Sequence, residues 1–83
     1  MLLSISLVCD DKYQKSSGAV GGQGTIASHK DVGTTFECAK FCDAVANCCS
    51  YEWSPIAKTC QINVECNPST LQTEERIAFC LKG

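Results

Sequence analysis

The chain has little net charge, few aromatic side chains and no long hydrophobic run. Its 83 residues include 7 basic and 9 acidic side chains, which gives a formal net charge of −2. A balance so close to neutral provides no field that would attract nucleic acid or an anionic membrane surface. No apolar segment approaches the length of about 20 residues that a transmembrane helix needs. We therefore predict no nucleic-acid partner and no membrane insertion.

Groups that serve catalysis or metal binding are also scarce. The only histidine, His29, has no cysteine near it in the sequence, which favours a polar residue on a turn or strand. The adjacent carboxylates Glu74 and Glu75 are typical of a solvated surface rather than of an acid–base pair. Because an enzyme needs a base, a nucleophile or a metal held in a cleft, the sequence indicates a protein that is not an enzyme and uses no cofactor.

Cysteine is the one residue type in excess, since it occupies 8 of the 83 positions. A domain this small is marginal on its hydrophobic core alone and usually needs covalent or metal staples. Such a cysteine density is typical of a disulfide scaffold from an oxidising compartment, which predicts a secreted, extracellular protein. The alternative is zinc held in two four-cysteine sites, although only Cys38 and Cys42 have the spacing of a zinc knuckle. The cysteine count alone does not choose among the roughly one hundred pairings it permits.

The first eight residues resemble a signal peptide only in part. They contain no basic residue, two serines interrupt the apolar stretch, and no small-residue cleavage site follows. Leu3, Ile5 and Leu7 alternate with serines in the period-two pattern of a half-buried strand. We interpret Met1 as the start of an excised fragment, and we expect the secretion signal to lie outside this chain.

Residues 10–24 are polar and rich in glycine, which predicts a loop or an irregular hairpin. The segment lacks the strand, helix and lysine that accompany a phosphate-binding loop. Lys12 and Tyr13, with two aspartates and a second lysine nearby, resemble a sugar-binding surface built on an aromatic platform. We name Lys12 and Tyr13 as ligand-binding candidates, beside the favoured alternative of a polar loop with the tyrosine packed beneath it.

One helix is predicted over residues 35–46. Thr34 and Glu37 have the spacing of a capping box, in which the hydroxyl accepts from the first turn and the carboxylate reaches back to the cap. One apolar face of this helix follows the i, i+3, i+4, i+7 pattern and consists of Cys38, Phe41, Cys42 and Val45.

The remaining chain favours short strands. Period-two patterns predict strands over 25–29, 50–54, 59–64 and 76–81, and the middle two form a hairpin. Residues 65–75 are predicted to be rich in turns. Tyr51 and Trp53 alternate onto one face of their strand, which favours packing over ligand binding.

Cysteines and aromatic residues recur at fixed spacing through the middle of the chain. The positions concerned are Cys38, Cys42, Cys48, Tyr51, Trp53, Cys60 and Ile62, with Cys9 and Cys80 near the two ends. Their arrangement resembles the PAN/apple module, which has Cys-x₃-Cys on a helix, a third cysteine six positions later, an aromatic-x-aromatic pair and Cys-x-aliphatic. The resemblance spans residues 9–80. An additional cysteine pair makes the chain most similar to the modules repeated in the microneme adhesins of apicomplexan parasites.

The resemblance implies three disulfides, namely Cys9–Cys80, Cys38–Cys60 and Cys42–Cys48. Cys48 rather than Cys49 is matched to the family cysteine because Tyr51 lies three residues after it. Cys49 and Cys66 are then left over, and we predict a fourth bridge between them.

The resemblance also implies the fold and the function. The fold class is α+β, with an antiparallel β-sheet wrapped around one helix at about 35–46, and residues 1–83 form a single module with its core in 9–80. We expect one copy from a larger secreted adhesin, which binds a host-cell surface glycan or protein, with neighbouring modules as further partners. The alternatives are a disulfide-rich protease inhibitor, a toxin-like domain or a spacer module without its own ligand.

Overall fold

The computed structural model describes residues 8–16, 24–66 and 77–82. Their elements are, in chain order, β1 (Tyr13–Ser16), β2 (Thr25–His29), α1 (Thr35–Asp43), β3 (Ser50–Ser54), β4 (Thr59–Asn63) and β5 (Ala78–Lys82). The five strands form one antiparallel sheet in the order β1-β5-β3-β4-β2, and α1 packs on β3 and β4. The predicted α+β fold is confirmed. The strand predicted over 3–7 and most of the turn-rich segment 65–75 lie outside the described residues.

Helix α1 begins as the capping pattern predicts. The Thr34 hydroxyl accepts a hydrogen bond from the Glu37 N–H at 3.2 Å. The Glu37 carboxylate accepts from the N–H of Gly33 at 2.8 Å, one residue before the cap rather than at the cap itself. Both bonds satisfy N–H groups that would otherwise lack partners at the helix start.

The helix ends at Asp43, three residues before the predicted end. The Cys42–Cys48 disulfide explains this difference, because its two Cα atoms are 5.3 Å apart. Six residues of continuing helix would separate them by about 9 Å along the axis. The chain therefore leaves the helix in tight turns, with the N–H of Val45 donating to the carbonyl of Cys42.

The buried face of α1 differs from the predicted one. Its buried residues are Thr35, Cys38, Ala39 and Cys42, whereas the Phe41 ring is 38% exposed and Val45 is half-buried. Small side chains on this face let the helix lie close to the sheet, so the larger Phe41 side chain lies at the flank.

The helix-facing side of the sheet holds the centre of the core. Tyr51 and Trp53 on β3 lie opposite Ile62 and Cys60 on β4, and all four are buried. This placement confirms that Tyr51 and Trp53 are packing residues. Burial raises the pKa of Tyr51 to about 12.

Strand β1 was not predicted, because residues 10–24 had been assigned to a loop or irregular hairpin. Tyr13–Ser16 pair with β5, and Tyr13 lies opposite Lys82. The Tyr13 ring is only 6% exposed, packs edge-on against Tyr51 at 4.8 Å between centroids, and donates its hydroxyl to Asp43 at 2.8 Å. Burial, and then the bond to Asp43, raise the pKa of Tyr13. A strand at the edge of a sheet can expose most of its side chains and still be held by one buried residue. The sequence of β1 is therefore mostly polar and did not predict a strand.

All eight cysteines are paired. The bridges are Cys9–Cys80, Cys38–Cys60, Cys42–Cys48 and Cys49–Cys66. The three pairings implied by the resemblance and the predicted fourth bridge are confirmed, and the zinc alternative is wrong because no cysteine is free. In the chain-entropy account the shortest loop stabilises the fold by about 2 kcal/mol and the longest by about 4 kcal/mol.

A polar network occupies the sheet face turned away from the helix. Ser50 and Asn63 are fully buried there, and the Asn63 amide donates to the Ser50 hydroxyl and to the Glu52 carboxylate, each at 3.4 Å. The Gln61 amide donates to the same Glu52 oxygen at 3.3 Å. Burial raises the pKa of Glu52, and the bond from Asn63 opposes this shift.

The Glu52 carboxyl makes stability depend on pH. Its folded pKa is raised above the ordinary 4.5, so the folded state binds this proton more tightly, and that stabilisation is lost as the pH rises through the folded pKa. Glu52→Gln keeps the accepting oxygen and removes the titration. We expect its free energy of unfolding, measured by urea denaturation, to fall less than that of the wild type as the pH rises from 4.5 to 7. Asp11→Asn, at an exposed turn, is the control, and an unchanged profile for Glu52→Gln would contradict the assignment.

The Cys49–Cys66 bridge should be the first disulfide to be reduced. Cys66 is exposed and Cys49 half-buried, whereas both cysteines of each other bridge are buried. Thiolate attack requires access to a sulfur atom, so limiting dithiothreitol followed by alkylation and peptide mapping should open this bridge first. In a Cys49→Ser/Cys66→Ser control the other three bridges should keep their wild-type rates. Equal opening of Cys9–Cys80 would count against this order.

Candidate ligand-binding site

The loop between β2 and α1, residues 30–34, is held to the sheet by its backbone. The Trp53 indole N–H donates to the Val32 carbonyl at 2.7 Å, and the Val32 N–H donates to the Lys58 carbonyl at 2.8 Å. The Val32 side chain is 3% exposed and belongs to the core. These contacts anchor the chain directly after Lys30 and Asp31.

Two non-glycine residues near this anchor have left-handed backbone conformations. Asp31 has φ of 60° and Lys58 has φ of 53°. Non-glycine residues in this region carry a conformational cost, which aspartate bears better than most. Position 31 thus carries a charged side chain, although glycine would fit its backbone more easily.

An aromatic stack stands between β2 and α1. The rings of His29, the last residue of β2, and Phe41, in the last turns of α1, have centroids 3.8 Å apart and planes inclined by 10°. Phe41 remains 38% exposed and His29 is half-buried. The stack gives the exposed Phe41 ring a defined position.

An open pocket of ≈ 350 Å³ lies beside this stack. Its walls come from the 30–34 loop and from α1, and they consist of Lys30, Asp31, Val32, Glu37, Lys40 and Phe41. The pocket thus combines one aromatic ring with two ammonium and two carboxylate groups. Such a set can place an apolar ring face against Phe41 while hydroxyl groups bond to the charged groups around it.

The charged groups of the pocket differ in how they are engaged. Glu37 already accepts the hydrogen bond from the Gly33 N–H. No ion pair with a residue that the structure describes is formed by Lys30, Lys40 or Asp31. The one ion pair among the described residues joins Lys12 to Asp43 at 3.9 Å. In residues 8–16, 24–66 and 77–82, no group of three or more histidine, cysteine or acidic side chains could hold a metal ion.

The predicted ligand-binding residues do not line this pocket. Lys12 has a largely exposed side chain beside Asp43, and its ligand role stays a prediction. The Tyr13 ring is buried, as in the favoured alternative of a packed tyrosine, and its ligand role likewise stays a prediction. The criterion of an aromatic platform ringed by lysine and carboxylate groups is met at Phe41. The sequence did not reveal this because the helical pattern assigned Phe41 to the buried face.

The pocket and the paired strands β1 and β5 lie at opposite edges of the sheet. Residues 8–16 and 77–82 meet at the β1–β5 edge, where the Cys9–Cys80 bridge joins them. The pocket adjoins β2, which is the other edge strand. Four strand spacings give about 19 Å between the two edges.

Comparison with known proteins assigns no class to this arrangement. No family model, no curated protein and no solved structure matches the chain. Among the described residues, no helix has the length and apolar character required to cross a membrane.

Replacing Asp31 tests whether its side chain stabilises the fold. Asp31→Gly relieves the left-handed conformation, so we expect thermal denaturation to show unchanged or higher stability, by up to about 1 kcal/mol. Asp11→Gly is the matched control, because Asp11 has no left-handed backbone and the same change there should only lower stability. Equal destabilisation by both changes would show that Asp31 serves the fold.

Proposed function

We propose that this chain is an extracellular binding module of the PAN/apple type that attaches to carbohydrate through the pocket beside Phe41. It acts as one module of a secreted, multi-module adhesin of the microneme type and contributes to host-cell attachment. Four disulfides in a small domain are compatible with an extracellular location. The proposal rests chiefly on one observation, which is an exposed aromatic ring held by the His29 stack among four charged side chains.

The pocket's chemistry favours a sugar over a flat protein surface. The C–H face of a pyranose packs on an aromatic ring, and its hydroxyl groups both donate to carboxylates and accept from ammonium groups. A volume of ≈ 350 Å³ suits a small ligand. A protein partner would instead need an interface of about 800 Å² on this side.

The position of the pocket supports a role in multivalent attachment. The pocket opens at the β2 edge, whereas the chain enters and leaves the sheet at the β1–β5 edge. Neighbouring modules joined at that edge would leave the pocket accessible. Several weak sites linked in this way bind more tightly than one alone.

The proposal involves no covalent chemistry. Every cysteine is in a disulfide, and the only histidine is stacked on Phe41. A protease inhibitor or a spacer without a ligand remains the alternative. An inhibition assay and a glycan array together separate these functions.

Phe41→Ala should strongly weaken glycan binding, because it removes the platform of the pocket. The oxidised chain is applied to a glycan array, and affinity for the glycans that give signal is then measured by calorimetry. We expect a loss of at least tenfold, equivalent to about 1.4 kcal/mol. Phe36→Ala is the matched control, since Phe36 is an exposed phenylalanine of the same helix that does not line the pocket.

Other outcomes would locate the function elsewhere. Loss of binding in Lys12→Ala but not in Phe41→Ala would place the site at β1, as the sequence alone suggested. Silence on the array combined with inhibition of a protease would overturn the carbohydrate proposal.

A further inference from the structure

We infer that the pocket beside Phe41 selects sugars that carry a carboxylate over the same sugars without one. This inference rests on the proposed carbohydrate-binding function and names the ligand class for that site. The observation behind it is the presence of two lysines from different elements, neither paired with an acid that the structure describes, at the margin of one aromatic ring.

The two lysines give the pocket two ammonium groups that form no ion pair with any acid the structure describes. Lys30 comes from the loop after β2 and Lys40 from α1, so the ammonium groups belong to separately anchored segments. Of the two carboxylates in the pocket, Glu37 is already bonded to the Gly33 N–H at the helix start. Asp31 is the one carboxylate without such a bond. The four charges of the pocket balance, but neither ammonium group is paired with an acid that the structure describes, so a ligand carboxylate can accept hydrogen bonds from both.

The elements of the pocket assign a role to each part of such a ligand. The pyranose ring lies on Phe41, whose orientation is fixed by the stack with His29. The ligand carboxylate accepts charge-assisted hydrogen bonds from Lys30 and Lys40, which are roughly twice as strong as neutral ones. A ligand hydroxyl donates to Asp31. A phosphate monoester would bring nearly two negative charges beside Asp31 and Glu37 and is therefore disfavoured.

The test compares sugars that differ only in the acidic group. Methyl glycosides of glucuronic acid, galacturonic acid and N-acetylneuraminic acid are titrated into the isotopically labelled chain and followed by amide chemical shifts. Each acid is paired with its carboxyl-reduced counterpart, in which CH₂OH replaces the carboxylate, and a methyl glucoside 6-sulfate is included. We expect at least one acid to bind ten times more tightly than its neutral partner, with shifts in residues 30–41.

Variants then identify the groups that carry the selectivity. Lys30→Ala/Lys40→Ala should remove the preference for the acid while leaving weak binding of the neutral sugar on Phe41. Lys15→Ala is the control for the loss of a lysine away from the pocket, because Lys15 is an exposed lysine on β1 at the opposite edge. The preference should also decrease as salt rises from 20 to about 500 mM, since added ions screen exposed charges.

The outcomes separate the inference from the function on which it rests. Equal affinity for acids and reduced sugars overturns the carboxylate inference and leaves carbohydrate binding intact. Equal affinity for the sulfate overturns selectivity for a carboxylate in favour of any monoanion. If no glycan binds, either in this titration or on the array, both proposals are overturned. Binding of an acidic peptide at the pocket instead of a glycan also overturns both.

Discussion

The Cys38–Cys60 disulfide is the constraint on which both the fold and the pocket depend. It joins the buried face of α1 to β4, and the register of the sheet places His29 of β2 directly opposite Cys60. Phe41 follows Cys38 by three residues, so it lies on an adjoining side of the helix, above β2. The bond that attaches the helix to the sheet therefore also brings the Phe41 ring to His29, and the pocket opens beside the stack that results.

How much of the structure the sequence predicted depended on the range of the interactions involved. Local patterns predicted β2, β3, β4 and the start of α1, because strand alternation and a helix cap involve neighbouring residues. The end of α1 was misplaced because the bond between Cys42 and Cys48 overrides helix propensity. Strand β1 was missed because it depends on one buried anchor, Tyr13, and on pairing with β5 at the far end of the chain. The pocket was missed for the same reason, since β2 and α1 meet only in the folded sheet.

Folding and the proposed ligand recognition share residues at the pocket. Glu37 receives the Gly33 N–H at the helix start and also forms part of the pocket wall. Its carboxylate is therefore fixed by the cap before any ligand arrives, which reduces the entropy lost on binding. Asp31 shows the opposite relation, because its left-handed backbone favours glycine while its side chain lines the pocket with Lys30 and Lys40. In the proposed site Glu37 would serve both purposes at once, whereas Asp31 would set a small folding cost against a gain in recognition.

The disulfides explain how so small a domain can leave such a site open. A chain of 83 residues with one tryptophan has little apolar surface to bury, and a core built from every aromatic ring would need Phe41 inside. Six of the eight cysteines are themselves buried, and with Ala39 they belong to the core. Because covalent bonds constrain the unfolded chain, stability does not require the Phe41 ring in the core or neutralisation of Lys30 and Lys40. These three side chains are therefore left available for the proposed ligand rather than required by the fold.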